Sequence, residues 1–332
     1  MDISTKVLGL ELKSPIIAGS CALTGNIDDV LRIEDAGAGA IIVKPVFEEE
    51  IIYDIKKNTH IVAPVENYGE SYHFVAAHAV QDYLEQHFEF IRKAKERVSI
   101  PLIGNINCYT HENWITYARN FEEAGCSAIE LTMDLFPYET SLSCDDVERV
   151  YGDIIRTMRK VTTLPISIKV NKQFTDMAKF MQQLSWMGIQ GLSLFSRPIL
   201  LDIDLEKEEL AESPIFSSPS DMYETLHWVA ILSQKLKCPI SAATGVHTAE
   251  DAIKMILAGA DSIQVVSSLY KNGIGQITKM NDGIKRWMEQ KGYEKLGDFK
   301  GKLSIKSNAN TSMQLRTKYI EHALNNDPQT NN

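Results

Sequence analysis

The sequence lacks the features that would place the protein in a membrane or on nucleic acid. No apolar run approaches the roughly 20 residues that a membrane-spanning helix needs, and residues 1–13 are too polar for a signal peptide. The net charge is −10, and no long basic run interrupts it, which disfavours nucleic acid and anionic membranes as main partners. We therefore expect a cytoplasmic protein that acts on a small molecule, with no nucleic-acid or membrane partner.

Cysteine is also scarce. The five cysteines are an odd number without any Cys-x-x-Cys spacing, which argues against a disulfide framework and against a tetrahedral zinc site. A hydrophobic fraction of 44% is typical of a globular protein, and 332 residues suffice for one large domain. What remains is a chain that must fold by burying an ordinary apolar core.

One repeating pattern runs through the chain. Four short apolar segments each begin after a proline, and four others each begin after a glycine. The two kinds alternate strictly, and each proline precedes its glycine by about the length of one strand and one helix. The residues concerned are Pro15, Gly37, Pro101, Gly125, Pro165, Gly188, Pro239 and Gly259. Proline is tolerated at the start of a strand, and glycine suits the left-handed end of a helix.

Eight apolar strands that alternate with helices predict an α/β fold, a closed (β/α)8 TIM barrel of parallel strands. We assign residues 1–303 to one barrel domain with an N-terminal hairpin at 5–12 and long loops on the C-terminal face, at 45–70 and 198–219. Residues 304–332 are predicted to form a polar, partly disordered C-terminal tail. The predicted helices cover 27–36, 75–97, 112–124, 145–161, 175–187, 221–236, 248–257 and 275–290.

Polar and small residues gather at the predicted strand ends, which converge on one pocket in this fold. They are Ser20, Lys44, Asn105, Thr132, Lys169, Ser196, Thr244, Gly245, Ser267 and Ser268. Lys44 and Lys169 each follow an apolar strand. A cation there holds an anionic group or stabilises negative charge that develops on a ring; the alternative is a solvated lysine on a loop.

The stretch from 238 to 268 reads strand, turn, helix, turn, strand. The first strand ends in Ala243, Thr244 and Gly245, and the second ends in Ser267 and Ser268. Small residues let backbone N–H groups approach an anion closely, and the last two strands of a parallel barrel commonly form a phosphate site. A phosphate site here, with a cationic floor near the two lysines, predicts a site for flavin mononucleotide (FMN).

Several stretches match one known family. They lie at 14–20, 36–44, 129–132, 166–169, 195–197, 202–205, 243–268 and 292–303. Together they resemble the dihydroorotate dehydrogenase family, especially its soluble class and a divergent branch often labelled dihydroorotate dehydrogenase-like. The resemblance spans roughly residues 7–303.

The resemblance implies an FMN-dependent oxidoreductase that acts on CH–CH bonds by hydride transfer to the flavin. The nearest assignment is the oxidation of dihydroorotate to orotate in pyrimidine biosynthesis, by a homodimer. Lys44 and Lys169 would correspond to the flavin-contacting lysines. The phosphate would be bound by Gly245, Val246, Ser267 and Ser268. The other implied cofactor contacts are Ala18, Gly19, Ser20, Asn105, Thr132, Ser196 and Thr244.

The chain departs from the family where the substrate is handled. The soluble enzymes carry Asn-Leu-Ser-Cys-Pro-Asn after the fourth strand, and the cysteine removes a proton from the substrate. Residues 132–137 read Thr-Met-Asp-Leu-Phe-Pro here, so Leu135 takes the position of the base. Thr132 and Ser196 replace asparagines that hold the substrate in the family, and Asn67 is a third candidate for a substrate contact.

Two residues are candidates for the missing base. Cys144 precedes a predicted helix, where a thiolate would have a lowered pKa; alternatively, Ser143 or Asp145 caps that helix and Cys144 is incidental. Asp134 directly follows the fourth strand; alternatively, it is a loop carboxylate paired with a lysine. With Lys44, these are the candidate catalytic residues.

Three functions remain open at this point. The first is the FMN-dependent oxidoreductase, the second is a flavin-binding protein without dihydroorotate dehydrogenase activity, and the third is a non-redox barrel enzyme that acts on a phosphorylated substrate. We predict no metal site. Only His111 and His247 fall early in helices on the active side, and without a metal partner at useful spacing we expect them to be capping or surface residues.

Overall fold

The computed structural model describes residues 1–47, 70–107, 111–135, 140–306 and 311–325. Thirteen strands lie in these ranges. They are β1 Thr5–Val7, β2 Leu10–Leu12, β3 Ile16–Ala18, β4 Ala40–Ile42, β5 Val46–Phe47, β6 Leu102–Asn107, β7 Ala128–Met133, β8 Ile166–Val170, β9 Gly191–Leu194, β10 Leu201–Asp204, β11 Glu209–Glu212, β12 Ile240–Ala243 and β13 Ser262–Val265.

Helices follow the strands in sequence. They are α1 Ile27–Asp35, α2 Glu70–Arg97, α3 His111–Glu123, α4 Cys144–Val161, α5 Met177–Trp186, α6 Met222–Leu232, α7 Ala249–Ala258, α8 Ser267–Asn272, α9 Gln276–Lys291 and α10 Thr311–Asn325. None of the helices in the described ranges is long and apolar enough to cross a membrane.

Eight parallel strands close into a barrel, as the alternating pattern predicts. The order around it is β3, β4, β6, β7, β8, β9, β12 and β13, and β13 pairs back onto β3. β5 adds to β6 beyond the ring. In register, Lys169 of β8 lies opposite Thr132 of β7 and Ser193 of β9. The (β/α)8 fold is therefore confirmed.

The prolines and glycines of the repeat act as expected. The carbonyl oxygens of Pro15, Pro101, Pro165 and Pro239 accept hydrogen bonds from the neighbouring strands at 2.8 to 3.0 Å. Each proline therefore starts a strand while its missing N–H removes no ladder bond. All four glycines of the repeat have positive φ, between 83° and 117°, the left-handed conformation that ends a helix without a Cβ penalty.

The predicted hairpin closes the N-terminal end of the barrel. β1 pairs antiparallel with β2 through a turn in which Leu8 and Gly9 have positive φ. Leu8 and Leu12 are buried and pack with Ile17, Ile42 and Ile103 inside the barrel. The other end of the barrel, at the carboxyl ends of the strands, carries the polar residues.

Several elements were not predicted, namely β5, helix α8, a hairpin and helix α10; Ser267 and Ser268, predicted as a strand end, are the first residues of α8. β10 and β11 form an antiparallel hairpin within the long loop at 198–219. Helix α10 lies in the segment assigned to the polar tail. The hairpin presents Leu201, Ile203 and Leu210 to solvent, so its pattern does not mark a buried strand, which explains why sequence periodicity missed it.

The close approach of Gly39 to the start of β3 gives a test of the packing. A Cβ at this position would lie 2.0 Å from the carbonyl oxygen of Ser14, and backbone cannot move aside cheaply. We expect Gly39→Ala to lower the free energy of unfolding by about 1–3 kcal/mol, measured as a shift in the urea midpoint.

Gly275→Ala is the matched control. This glycine has φ −58° and open space where a Cβ would go. The change should leave the free energy of unfolding unaltered or raise it by about 0.4–1 kcal/mol. Equal midpoints for both variants would contradict the packing described at Gly39.

Candidate active site at the barrel mouth

A buried carboxylate organises the interior of the barrel. Glu130 on β7 is 1% exposed. It accepts hydrogen bonds from the amide of Asn105 at 3.2 Å, the hydroxyl of Ser193 at 2.6 Å and the amide of Gln264 at 2.6 Å. These donors come from β6, β9 and β13. A charge withdrawn from water is tolerated only when hydrogen bonds and opposite charge replace the solvent, and this cluster supplies both.

The opposite charge comes from Lys169 on β8. Its Nζ donates to Gln264 Oε1 at 2.9 Å and lies 3.9 Å from Glu130 Oε1. Its side chain is 14% exposed, so the ammonium group is held at the boundary between the buried cluster and the mouth. On the next strands, the Asn105 amide also donates to Thr132 Oγ1 at 3.0 Å. Three residues predicted for the site, Lys169, Asn105 and Thr132, thus belong to one region.

A cleft of about 180 Å³ opens above this floor, at the ends of β12 and β13. Residues that line it and were predicted as site residues are Lys169, Thr244, Gly245, Val246 and Ser267. Thr244 and Gly245 both have positive φ, 73° and 82°. A Cβ on Gly245 would come within 2.1 Å of the Met222 backbone nitrogen at the start of α6. The backbone of this turn is therefore packed as closely as glycine allows.

The serines beside the cleft have different environments. Ser267 Oγ accepts a hydrogen bond from the backbone N–H of Ser217 at 3.0 Å. Ser268 is 1% exposed, and its hydroxyl has no hydrogen-bond partner in the described part of the chain. A buried hydroxyl without a partner is uncommon and calls for an explanation such as a ligand or an ion.

The residues after β3 join neighbouring strands. The backbone N–H of Gly19 donates to Val265 O at 3.0 Å, and the hydroxyl of Ser20 donates to Val43 O at 2.7 Å. Ala18 is fully buried. Because both hydrogen bonds go to the protein, these residues shape the rim between β13, β3 and β4.

Lys44 follows β4, which lies three strands from β8 around the ring. Its backbone N–H donates to Thr24 O at 3.2 Å, and its side chain packs beside Gly25. Asn67, the third predicted substrate contact, lies outside the described residues. Unlike Lys169, Lys44 is not among the residues that line the cleft.

Asp134 lies at the mouth, directly after β7. The hydroxyl of Ser196, which follows β9, donates to its carboxylate. Burial raises the pKa of Asp134, whereas the Ser196 hydrogen bond and the charge of Lys169 act in the opposite direction. Leu135, at the base position, is half-buried, and its carbonyl oxygen accepts a hydrogen bond from Asn171 at 3.2 Å.

Cys144 lies in a different cleft. It is the first residue of α4, is exposed, and its Sγ is 3.6 Å from Thr175 Oγ1. Ser143 caps the helix by accepting from the Asp146 N–H, in a capping box. Cys144 lines a cavity with Phe174 and not the cleft above Lys169. The structure therefore brings Asp134, and not Cys144, together with the strand-end residues.

The predicted surface or capping role of His247 is wrong. The residue is 6% exposed, and its Nε2 lies 3.1 Å from Ser217 Oγ. Burial, followed by the charge of Lys271, lowers its pKa. Lys271 Nζ in turn donates to Ser217 O at 2.8 Å. These contacts hold the 198–219 loop beside the cleft. The side chain of His111, the other histidine considered, lies outside the part of the chain that the structure describes.

Sequence reasoning missed several residues of the site. They are Glu130, Ser193, Gln264, Arg197 and Ser217. For Glu130 and Gln264 a signal existed, because each is a polar residue within an otherwise apolar strand of a fully buried parallel sheet. Within the described ranges, no group of three or more His, Cys, Asp and Glu side chains could hold a metal ion.

Comparison with known proteins gives a consistent result over nearly the whole chain. The family model described as dihydroorotate dehydrogenase matches residues 2–288. Similar proteins carry the name "dihydroorotate dehydrogenase B (NAD(+)), catalytic subunit". The one from Thermoplasma acidophilum is 24% identical over 306 residues, 90% of this chain and 98% of the relative. Those from Alkaliphilus metalliredigens and Pyrococcus furiosus are 22% and 24% identical, over 91% of this chain in both cases and over 99% and 98% of the relatives.

The Glu130 cluster yields a stability prediction. Glu130→Gln keeps the shape but removes the charge that faces Lys169, and it turns an NH2 group toward residues that already donate. We expect a loss of about 3 kcal/mol in the free energy of unfolding, the range found when a buried ion pair is broken, measured by denaturant titration.

Glu224→Gln controls for the same chemical change at an exposed position. Glu224 pairs with Lys172 at 2.7 Å, and its side chain is 53% exposed. An exposed pair contributes less than about 1 kcal/mol. If the two substitutions cost the same, Glu130 does not hold the interior together.

Proposed function

The chain belongs to the dihydroorotate dehydrogenase family, and from this premise we propose that it is an FMN-dependent oxidoreductase. The proposed reaction is the oxidation of a CH–CH bond in a small polar ring. Since the relatives are named dihydroorotate dehydrogenases, the nearest assignment is dihydroorotate to orotate, which would place the enzyme in pyrimidine biosynthesis. The observation that carries the cofactor proposal is the cleft at the ends of β12 and β13, above the Lys169 ammonium.

The residues present fit FMN. Gly245 lines the cleft and carries no side chain that would keep an anion away from its backbone. The buried Ser268 hydroxyl, next to Ser267 in the cleft wall, has no partner in the described part of the chain, and a phosphate oxygen would supply one. We assign Gly245, Val246, Ser267 and Ser268 to the phosphate end. Ala18, Gly19, Ser20, Asn105, Thr132, Ser196 and Thr244 complete the proposed cofactor contacts.

Lys169 is proposed to face the ring system. When bound, FMN would supply the hydride-accepting chemistry, and the protein would supply orientation and charge. Gln264 and Glu130 hold the ammonium group of Lys169 from below, so little reorganisation is needed to stabilise negative charge above it. By the family resemblance we assign Lys44, three strands away around the ring, to the same task.

Asp134 is the candidate for proton acceptance that the geometry favours. Leu135 has no side-chain acceptor, and Cys144 opens into another cleft. Asp134 accepts a hydrogen bond from Ser196 at the mouth, and the charge of Lys169 acts on its pKa. Asn67, Thr132 and Ser196 remain the proposed substrate contacts.

A second function is supported by one observation. Because Leu135 occupies the family's base position, a flavin-binding protein without dihydroorotate dehydrogenase activity is the alternative. A non-redox enzyme that grips a phosphorylated substrate at the same cleft is the third. Homodimer formation and a cytoplasmic location remain predictions from the family resemblance and from composition.

An absorption spectrum followed by anaerobic titration with dihydroorotate separates these functions. Flavin absorption that bleaches supports the dehydrogenase. Flavin absorption that persists supports the second function. A protein that stays colourless after FMN is added leaves the phosphorylated-substrate enzyme and overturns the cofactor proposal.

The lysines give a sharper prediction. Lys44→Ala and Lys169→Ala should each weaken FMN retention or slow flavin reduction, by about tenfold or more, since each removes one charge-assisted contact. The measurements are FMN release on dilution and stopped-flow bleaching. Lys254→Ala, on the outer helix α7 with a side chain 48% exposed, is the control. Wild-type values in both site variants would refute the assignment of the lysines.

A further inference from the structure

The floor of the cleft has two layers of side chains. Lys169 and Gln264 line the cleft itself. Glu130 and Ser193 lie below them and line, together with Gln264, a void of about 10 Å³ inside the barrel, which has room for one water molecule at most. Glu130 is 1% exposed, so solvent screens its charge poorly. It is not among the described residues that border the cleft, and it therefore acts on a ligand there through space or through Lys169 and Gln264.

Glu130 determines which way the Gln264 amide points. A carboxylate only accepts hydrogen bonds. The NH2 group of Gln264 is therefore directed to Glu130 Oε2 at 2.6 Å and to Ser193 Oγ at 2.9 Å, and its oxygen accepts from Lys169 Nζ at 2.9 Å. A flipped amide would turn its NH2 group to the ammonium group and its oxygen to the carboxylate, and both contacts would be repulsive. The carboxylate thus helps to hold Lys169 in place through Gln264.

The positive charge of Lys169 is partly offset from below. Its Nζ lies 3.9 Å from Glu130 Oε1, and its charge also acts on Asp134 at the mouth. The other cation of the cleft, Arg197, lies 3.7 Å from Asp221 and donates to two carbonyl oxygens of its own loop. Lys169 and Glu130 are both largely withdrawn from water, where charges interact more strongly than at the surface. A ligand on the floor therefore meets an ammonium group whose field is reduced by the carboxylate beneath it.

This arrangement bears on the balance between oxidised and reduced flavin, because the reduced ring carries more negative charge than the oxidised ring. A cation beside the ring favours the reduced form, and a nearby carboxylate opposes it. Lys169 borders the cleft and Glu130 lies behind it. The pair as a whole therefore favours reduction, but less than the ammonium group would alone.

We propose that Glu130 sets the reduction potential of the bound flavin and holds it below the value that Lys169 alone would give. Glu130 is a positioning residue, since it acts through Lys169 and Gln264 and not by contact with the cofactor. The proposal rests on the FMN site of the proposed function and is independent of the substrate. It gives the buried carboxylate a role in the chemistry in addition to its role in the stability of the barrel.

Glu130→Gln removes the charge and keeps the shape. In the FMN-loaded full chain, the equilibrium should move toward reduced flavin by about tenfold or more, which raises the midpoint potential by about 30 mV or more for a two-electron couple. The measurement is reduction in the presence of a reference dye, followed by absorption. Glu130→Asp keeps the charge and shortens the side chain, and it should leave the equilibrium within about threefold of the wild type.

Cofactor binding separates this role from a purely structural one. By linkage, a shift in potential equals the change in the ratio of the dissociation constants of oxidised and reduced FMN. In Glu130→Gln, reduced FMN should therefore gain about tenfold in affinity relative to oxidised FMN. Equal weakening of both forms would mean that the substitution only damages the fold, and it would overturn the inference.

Ser193→Ala is the second variant, in case Glu130→Gln does not fold. Ser193 donates to Glu130 Oε2 at 2.6 Å and is not among the described residues that border the cleft. Without this donor the carboxylate charge is less well compensated, so the potential should fall, by about threefold in the equilibrium or about 15 mV. Glu89→Gln is the control, because it removes a carboxylate 3.3 Å from Lys93 on the outer helix α2, where its side chain is 44% exposed. It should leave the potential unchanged.

The outcomes distinguish this inference from the proposed function. An unchanged or lower potential in Glu130→Gln, or an equal rise in Glu130→Asp, overturns the inference, even where dihydroorotate bleaches the flavin and the dehydrogenase stands. Opposite shifts in Glu130→Gln and Ser193→Ala support it, even where dihydroorotate leaves the flavin oxidised and the dehydrogenase fails. A protein that stays colourless with added FMN overturns both.

Discussion

The structure depends on the burial of one carboxylate, that of Glu130, inside the barrel. Withdrawing an ion from water costs several kcal/mol unless hydrogen bonds and an opposite charge replace the solvent. Donors on β6, β9 and β13 and the ammonium group on β8 meet this requirement together. Five of the eight barrel strands are therefore linked through one side chain, and Lys169 is positioned by the same set of contacts.

The cleft above this floor is built by close backbone approach. The turn at Thr244 and Gly245 runs against the start of α6 with no room for another atom. The long loop after β9 returns to the same place, where Ser217 contacts Ser267 and His247. The loop is thereby tied to the ends of β12 and β13, and it contributes Arg197 to the cleft.

The regions that resemble the family and the residues that depart from it lie in different parts of the molecule. The barrel, its closing hairpin and the turns at the last two strands follow the family over residues 2–288. Leu135, Asp134 and Ser196 lie beside the cleft where the resemblance to the family is weakest, and there Ser196 donates to Asp134 while Leu135 offers only its carbonyl oxygen, to Asn171. One scaffold supports different reactions through such changes at strand ends.

Local sequence determined the frame. Proline removes a ladder donor and glycine permits a left-handed backbone, so the pattern of these residues predicts the eight apolar strands and their order. A lysine at the end of such a strand is therefore expected near the mouth of the barrel. The hydrogen-bond partners of Glu130 could not be predicted from the sequence. Gln264 is 134 residues away, and only closure of the barrel brings the two residues together. The direction of the hydrogen bond between Ser196 and Asp134 was also decided by the tertiary structure. A hydroxyl can rotate to donate or accept, and the group that folding places beside it determines which.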